Sequence, residues 1–124
     1  MGVEMRIAVT TSGDSLAAPM DSRFGRAAGF LVYDTDTKVL QVVDNAQNLN
    51  SAQGAGIQAA QTVAETGARV VITGHCGPKA FRVLQTAGIA VYNCEAATVQ
   101  EALGLFGEGK LLTASNADVE GHWS

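Results

Sequence analysis

Runs of basic residues are absent from this chain of 124 residues, and its formal net charge is −4. That excludes the positively charged surface on which non-specific nucleic-acid binding depends. Apolar stretches long enough to span a bilayer are missing too. Apolar residues nevertheless make up 47% of the chain, enough at this length for one domain with a real core. Met1-Gly2-Val3-Glu4-Met5 has no basic region leading into an apolar run, so no export leader is expected. Acylation at Gly2 is not expected either, because Arg6 stands where a myristoylation motif needs Ser or Thr. Cysteine is scarce: Cys76 and Cys94 are the only two, and they are not in CxxC spacing. A disulfide framework is therefore not expected, and a reducing cytoplasm is the expected compartment. With only His75 and His122 in the chain, Ser12 and Ser15 lack a base–orienter pair for nucleophilic catalysis. No Gly-Lys-Ser/Thr occurs, so there is no Walker A loop.

What is present is an ordered series of short elements. Met5 to Thr10 reads as a strand, followed by a Gly/Ser/Asp/Pro-rich loop from Thr11 to Arg23. Phe30–Asp34 and Lys38–Asp44, joined by the polar turn Thr35-Asp36-Thr37, read as an antiparallel hairpin. A polar loop from Asn45 to Gln53 leads through Gly54-Ala55-Gly56 to a helix over about Ile57–Thr66. Its apolar face is Ile57, Ala60, Val63 and Ala64, and Gly67 supplies the stop. A fourth strand, Arg69–Thr73, precedes a helix opened by Pro78 and ended at Gly88, with Ala80, Val83, Leu84 and Ala87 on one side. Ile89–Asn93 is a fifth strand. Thr98-Val99-Gln100-Glu101 is a capping box opening a third helix whose apolar face is Val99, Ala102, Leu103 and Phe106. Residues 113–124 are expected to form an irregular tail beyond a single domain of residues 1–112.

The order β-β-β-α-β-α-β-α predicts an α/β fold, with a mixed five-stranded sheet, an N-terminal antiparallel hairpin and helices on both faces. Strands 1 and 4, the most uniformly apolar, are expected at the centre. Ligands in such sheets sit beyond the carboxyl ends of the parallel strands. The loops starting at Thr11-Ser12 and at Gly74-His75-Cys76-Gly77 leave from such ends, and they meet if strands 1 and 4 are neighbours.

Thr73-Gly74-His75-Cys76-Gly77-Pro78-Lys79 is the stretch richest in chemistry. An imidazole and a thiol, both able to bind metals or metal–sulfur groups, sit beside a helix start that favours anions. A second reading stays open, in which Cys76 is a small buried hydrophobe and His75 a solvated loop residue. Arg23, Arg26 and Lys79 fall in loops near the same crevice and form either a local positive field or, with Asp14 and Asp21, a mixed-charge rim. Gly54-Ala55-Gly56-Ile57-Gln58-Ala59 fits G-x-G-x-x-A, but no strand precedes it directly and no acidic residue ends the next strand, so the dinucleotide context fails. The remaining reading is a Gly-rich helix entry that permits close approach. A two-metal nuclease would need clustered carboxylates, and strands 1 and 4 carry none. His75 and Cys76, adjacent in a turn, do not point at each other as a catalytic dyad must.

The opening Met5-Arg6-Ile7-Ala8-Val9-Thr10, followed by Phe24-Gly25-Arg26-Ala27, Asn45, Gly54-Ala55-Gly56, Thr73-Gly74-x-x-Gly77-Pro78-x-Ala80, Ala87-Gly88-Ile89-x-Val91-Tyr92 and Thr98-Val99-x-Glu101-Ala102-Leu103, resembles the dinitrogenase iron–molybdenum cofactor biosynthesis proteins (NifX/NafY-like domains). The resemblance spans about residues 5 to 110 and is carried by the order and spacing of the motifs. It implies a ribonuclease-H-like sheet without nuclease chemistry. It also implies a non-enzymatic role in binding or carrying anionic metal–sulfur clusters or their precursors. These are of the iron–molybdenum type or, as in one small stand-alone member type, a molybdenum–copper sulfide cluster. The implied partners are the cluster or a thiomolybdate and a protein that receives it, with no nucleic acid and no membrane. The alternative function is a protein-interaction or regulatory module without metal. Under the cluster reading, Thr11, Ser12 and the backbone N–H groups around Gly54, Gly56, Gly74 and Gly77 are expected to cradle the anion. Arg26 and Lys79 are expected to neutralise it, His75 or Cys76 to ligate it, and Phe24 or Ile57 to wall it from water.

Overall fold

The computed structural model describes residues 5–25, 27–45 and 55–113. The elements run β1 (Arg6–Thr11), β2 (Gly29–Asp34), β3 (Leu40–Asp44), α1 (Ala55–Glu65), β4 (Val70–Thr73), α2 (Pro78–Thr86), β5 (Ala90–Asn93), α3 (Val99–Gly107) and β6 (Leu112–Thr113). They build one sheet in the order β3-β2-β1-β4-β5-β6. β1–β4 and β4–β5 are parallel, and the other pairs are antiparallel.

The expected mixed sheet is present, with β1 and β4 adjacent at its centre. It has one more strand than the sequence reading gave. The two residues of β6 pair with Tyr92 and Asn93 of β5, and a two-residue strand is too short to leave a periodic signal. The expected domain limit at residue 112 falls inside β6, and residues 114–124 lie outside the described residues.

Alternation along the strands sorts side chains to the two faces. Ala8, Phe30, Val32, Val71 and Val91 face α1 and α2, where Ala59, Ala60, Val63, Ala80 and Leu84 close a buried layer. Ile7, Val9, Leu31, Val70 and Ile72 face the other way, under Val99 and Ala102 of α3. Every residue of β4 is buried, as a strand covered on both faces requires.

Turn chemistry sets the ends. Asp34, almost fully buried, accepts from the backbone N–H groups of Asp36 (2.9 Å) and Thr37 (3.1 Å), and so folds the hairpin turn onto itself. Lys38 closes that turn at φ 65°. At the start of α3, Thr98 Oγ1 accepts from Glu101 N–H at 3.1 Å, while the Glu101 carboxylate accepts from Ala97 N–H at 2.9 Å. The capping box therefore closes one residue earlier than its usual form, on Ala97 rather than on Thr98.

Candidate functional site

Parallel pairing of β1 with β4 brings their carboxyl ends side by side. Thr10 and Thr73, both without exposure, meet there with their hydroxyl oxygens 3.1 Å apart. The Thr10 hydroxyl donates to the Asp21 carbonyl, so its lone pair accepts from Thr73. The loop after β1 is bolted down along its length. Asp21 N–H donates to Thr10 O (2.9 Å), Phe24 N–H to His75 O (3.0 Å) and His75 N–H to Ser22 O (2.6 Å). Further on, Met20 N–H donates to Ala97 O, and Val99 N–H to Ala18 O. The loop after β1, the turn after β4 and the entry to α3 are thus one hydrogen-bonded assembly.

Within this assembly lies a cavity of about 430 Å³, lined by Met20, Ser22, His75, Cys94, Glu95, Ala96 and Ala97. That is the size of a small-ligand cleft. It sits where β4 and β5 end and α3 begins. Three residues of its lining, Met20, His75 and Cys94, carry soft or borderline donors; Cys94 is 6% exposed and also belongs to the core cluster under α3, with Met20 packed against it. Burial pushes the Cys94 pKa up. The nearby Glu101 and Glu95 carboxylates push the same way, against a lowering hydrogen bond with the Ala96 backbone. The thiol therefore carries its proton at neutral pH. Among the described residues, no three His, Cys, Asp or Glu side chains come together as a metal-holding group. A donor trio here needs the Met20 sulfur.

The expected site residues separate into distinct groups. Among the described residues expected at the site, only His75 lines the cavity. Cys76, its neighbour, is 1% exposed and packs with Phe24, Phe30, Ala59, Ala60, Ala80 and Leu84. Of the two readings of this thiol, the structure places it as the buried hydrophobe, facing away from solvent under the start of α2. Phe24, expected as a wall of the site, is also in that core, its ring 5.5 Å from that of Phe30.

Thr11 is fully buried. Its hydroxyl donates to Pro19 O (2.7 Å) and accepts from Gly13 N–H (3.1 Å), so it acts as an internal latch. Ser12 is exposed beside it. Gly74 has a steric reason to be glycine: a Cβ there would lie 2.8 Å from Ser22 O and 2.9 Å from Ser22 Cβ. The backbone of the neighbouring loop occupies the space a side chain would need.

The expected N–H cradle over Gly74–Gly77 is reduced, because His75 N–H already donates to Ser22 O. Gly77 is the N-cap of α2 and Lys79 lies exposed in that helix's first turn. Gly56 faces α2, where a Cβ would touch the Ala80 Cβ at 3.4 Å, and Ile57 is half-buried. Gly54 and Arg26 lie outside the described residues. Arg23, exposed, pairs with Asp21 at 3.5 Å. Among the described residues, the cavity lining holds a carboxylate, Glu95, and no Lys or Arg.

Cys94 closes the apolar run of β5 and reads from the sequence as core packing; the structure agrees, since it is 6% exposed in the buried cluster under α3, and it also lines the cavity. The sequence reading gave Met20 no role. Strand parity was the available signal for Cys94. Two residues beyond Tyr92, it falls on the same face of β5 as that side chain, toward α3. Met20 carried no local signal, because tertiary pairing of its loop with Thr11 and Ala97 places it.

The sequence profile of the "Dinitrogenase iron-molybdenum cofactor" family matches residues 4–109. The chain belongs to that family. It is similar to the apo orange protein of Desulfovibrio gigas, with 46% identity and a TM-score of 0.88 over 91% of this chain and 95% of that one. A putative NifB protein from Thermotoga shares 35% identity at a TM-score of 0.83, over 94% of this chain and 99% of its own. An uncharacterised protein of Methanocaldococcus jannaschii is 31% identical over 104 residues, covering 77% of this chain and 87% of the relative. Among the described residues, no helix is long and apolar enough to cross a membrane.

Proposed function

We propose that this chain binds and carries an anionic metal–sulfur cluster, of the molybdenum–copper or iron–molybdenum kind, without transforming it chemically. The observation that carries this reading is the convergence of Met20, His75 and Cys94 on one cavity in a member of a family named for a metal–sulfur cofactor. Thioether, imidazole and a Cys94 thiol that gives up its proton on binding metal together suit soft metals such as Cu(I), and suit hard oxygen-seeking cations poorly. A sulfide cluster is large, soft and weakly hydrated, so the half-buried Met20 and His75 and the buried Cys94 hold it with little desolvation penalty. The ligand pair becomes His75 and Cys94, with Met20 as third donor. Cys76 has a packing role instead. Lys79 and Arg26 remain proposed sources of compensating charge at the rim, and Ser12 a proposed polar contact. Delivery to an acceptor protein in the cytoplasm completes the reading, since a cluster held by a few exchangeable ligands can be handed on intact.

Reconstitution with tetrathiomolybdate and Cu(I) tests this. The expected result is a visible absorption band and metal that both stay with the protein through gel filtration. A His75→Ala, Cys94→Ser double variant is expected to retain at least about tenfold less metal, in line with loss of ligands from a soft-metal site. Cys76→Ser is expected to retain the parental amount. No retained metal in the parent, or full retention by the double variant, would overturn the assignment.

A further inference from the structure

Thr10 and Thr73 lie one step beyond the register partners Val9 and Ile72, where the two central strands run out. The positions just before them are apolar and buried: Ala8 and Val9 in β1, Val71 and Ile72 in β4. A valine at either site would have nearly the same shape, would suit a strand and would bury no hydroxyl. A buried hydroxyl lowers stability unless it is hydrogen-bonded. Two of them side by side, next to the loops that build the cavity, answer a bonding requirement that packing alone does not set.

Thr73 connects in three directions, and each leads to a different supplier of the cavity lining. Along the chain it is followed by Gly74 and His75. Its carbonyl accepts from Cys94 N–H at 3.0 Å. Its hydroxyl donates to that of Thr10 at 3.1 Å, and Thr10 in turn donates to the Asp21 carbonyl. Asp21 sits between Met20 and Ser22, both in the lining. Residues 22–24 then run beside His75, which donates to Ser22 O and accepts from Phe24 N–H. The missing side chain of Gly74 permits that approach. Asn93 Nδ2 donates to Gly74 O at 3.1 Å and fastens the same turn to β5.

We infer that Thr73 is a positioning residue of the cavity, whose hydroxyl sets the place of Met20 and Ser22 relative to His75 and Cys94. What that spacing serves rests on the cluster reading above; the spacing itself belongs to the ligand-free protein. Main-chain bonds tie Cys94 to the turn of His75 through Thr73, whatever side chain Thr73 carries. The loop of Met20 depends on the side chain. Asp21 N–H donates to Thr10 O, but the Asp21 carbonyl is held by the Thr10 hydroxyl, a rotor with one proton. With a Thr10 lone pair taken up by Thr73, that proton is directed at Asp21. Without the Thr73 hydroxyl, the rotor loses its second anchor and a buried acceptor site goes unmet. Residues that orient metal ligands from behind matter in this way, and their loss weakens metal binding by about 10–100-fold.

Three variants of the full chain, each checked for folding by circular dichroism, test this. Thr73→Val keeps the volume and removes the hydroxyl. Thr73→Ser keeps the hydroxyl and removes a buried methyl. Thr10→Val breaks the same relay from the other side. In the metal-free protein, Thr73→Val and Thr10→Val are expected to speed amide hydrogen exchange at Met20 and Asp21, while Cys94 keeps the parental rate. After loading with tetrathiomolybdate and Cu(I), both are expected to retain about tenfold less metal than the parent through gel filtration. Thr73→Ser is expected to keep the parental exchange pattern and metal content, although the missing methyl lowers its stability to urea. A merely structural Thr73 would instead make retention follow stability in both of its variants. Parental exchange at Met20 and Asp21 in Thr73→Val would overturn the inference. So would parental metal retention by that variant, or an equal loss in Thr73→Ser. If the parent itself retains no metal, the cluster reading falls, and the exchange measurement alone decides whether Thr73 places the loop.

Discussion

Two cysteines in this chain share a chemistry and differ in surroundings. Cys76 sits inside the layer between the sheet and α1–α2, where its thiol is a small apolar filler. Replacing it with Ser puts a hydroxyl among Phe24, Phe30 and Leu84, and is expected to lower the unfolding free energy by about 1–3 kcal/mol in a denaturant titration. Metal retention by the folded variant is expected to stay at the parental level. Cys94 lies at the cavity wall with its pKa raised, first by burial and then by Glu101 and Glu95. A raised pKa leaves less thiolate at any pH below it. Alkylation of Cys94, followed by mass spectrometry, is therefore expected to be slow at pH 7. It is expected to accelerate only above the range of an ordinary thiol. Glu101→Gln is expected to move that profile to lower pH, while a profile at or below the ordinary range would show the thiol to be solvated. The pairing of His75 with Cys76 was the most visible feature of the sequence, and the fold separates the two: His75 lines the cavity and Cys76 is buried in the core. Counting in twos from Ile72 would send Cys76 to the α3 side, whereas it packs with Val71 on the α1–α2 side; β4 ends at Thr73, and strand parity accounts for Cys94 alone.

At the scale of elements, what was legible depended on length and on local chemistry. The helices were visible from their apolar spacing, and glycines in the left-handed region end two of them, Gly67 at φ 83° and Gly88 at φ 80°. The capping box was visible because its partners are three residues apart. β6 was not, nor was the folding of the loop after β1 onto His75 and Ala97, since those bonds join residues dozens of positions apart. The cap of α3 has a double role. Thr98 holds the first turn of the helix, and residues 95–97 just before it form one wall of the cavity. Thr98→Ala is expected to reduce stability by about 1 kcal/mol, read from the midpoint of chemical unfolding. Metal retention is expected to fall further than that loss of stability explains, because the wall loses its anchor. A destabilised variant with unchanged retention would separate the cap from the site.

For the whole molecule, strand order decides both rigidity and function. β1 and β4 lie at the centre under helices on both faces, and the loops that leave their carboxyl ends build the site. Sequence alone gave this juxtaposition, since parallel crossovers and apolar content rank strands by depth. The cavity's lining escaped it, because Met20, His75 and Cys94 come from three separate connections that only the folded sheet brings together. Amide hydrogen exchange is expected to be slowest in β1 and β4 and faster in β3 and β6, at the edges.

The central claim is that a metal–sulfur cluster occupies the cavity between the loop after β1, the turn after β4 and the entry to α3. Its most direct test is an amide NMR titration of the full chain with tetrathiomolybdate and Cu(I). Shift changes are predicted to concentrate at Met20, Ser22, His75 and residues 94–97, while Cys76 and β3 stay put. Shifts centred on the exposed first turn of α2 or on the β3 edge, with the cavity residues unmoved, would contradict it.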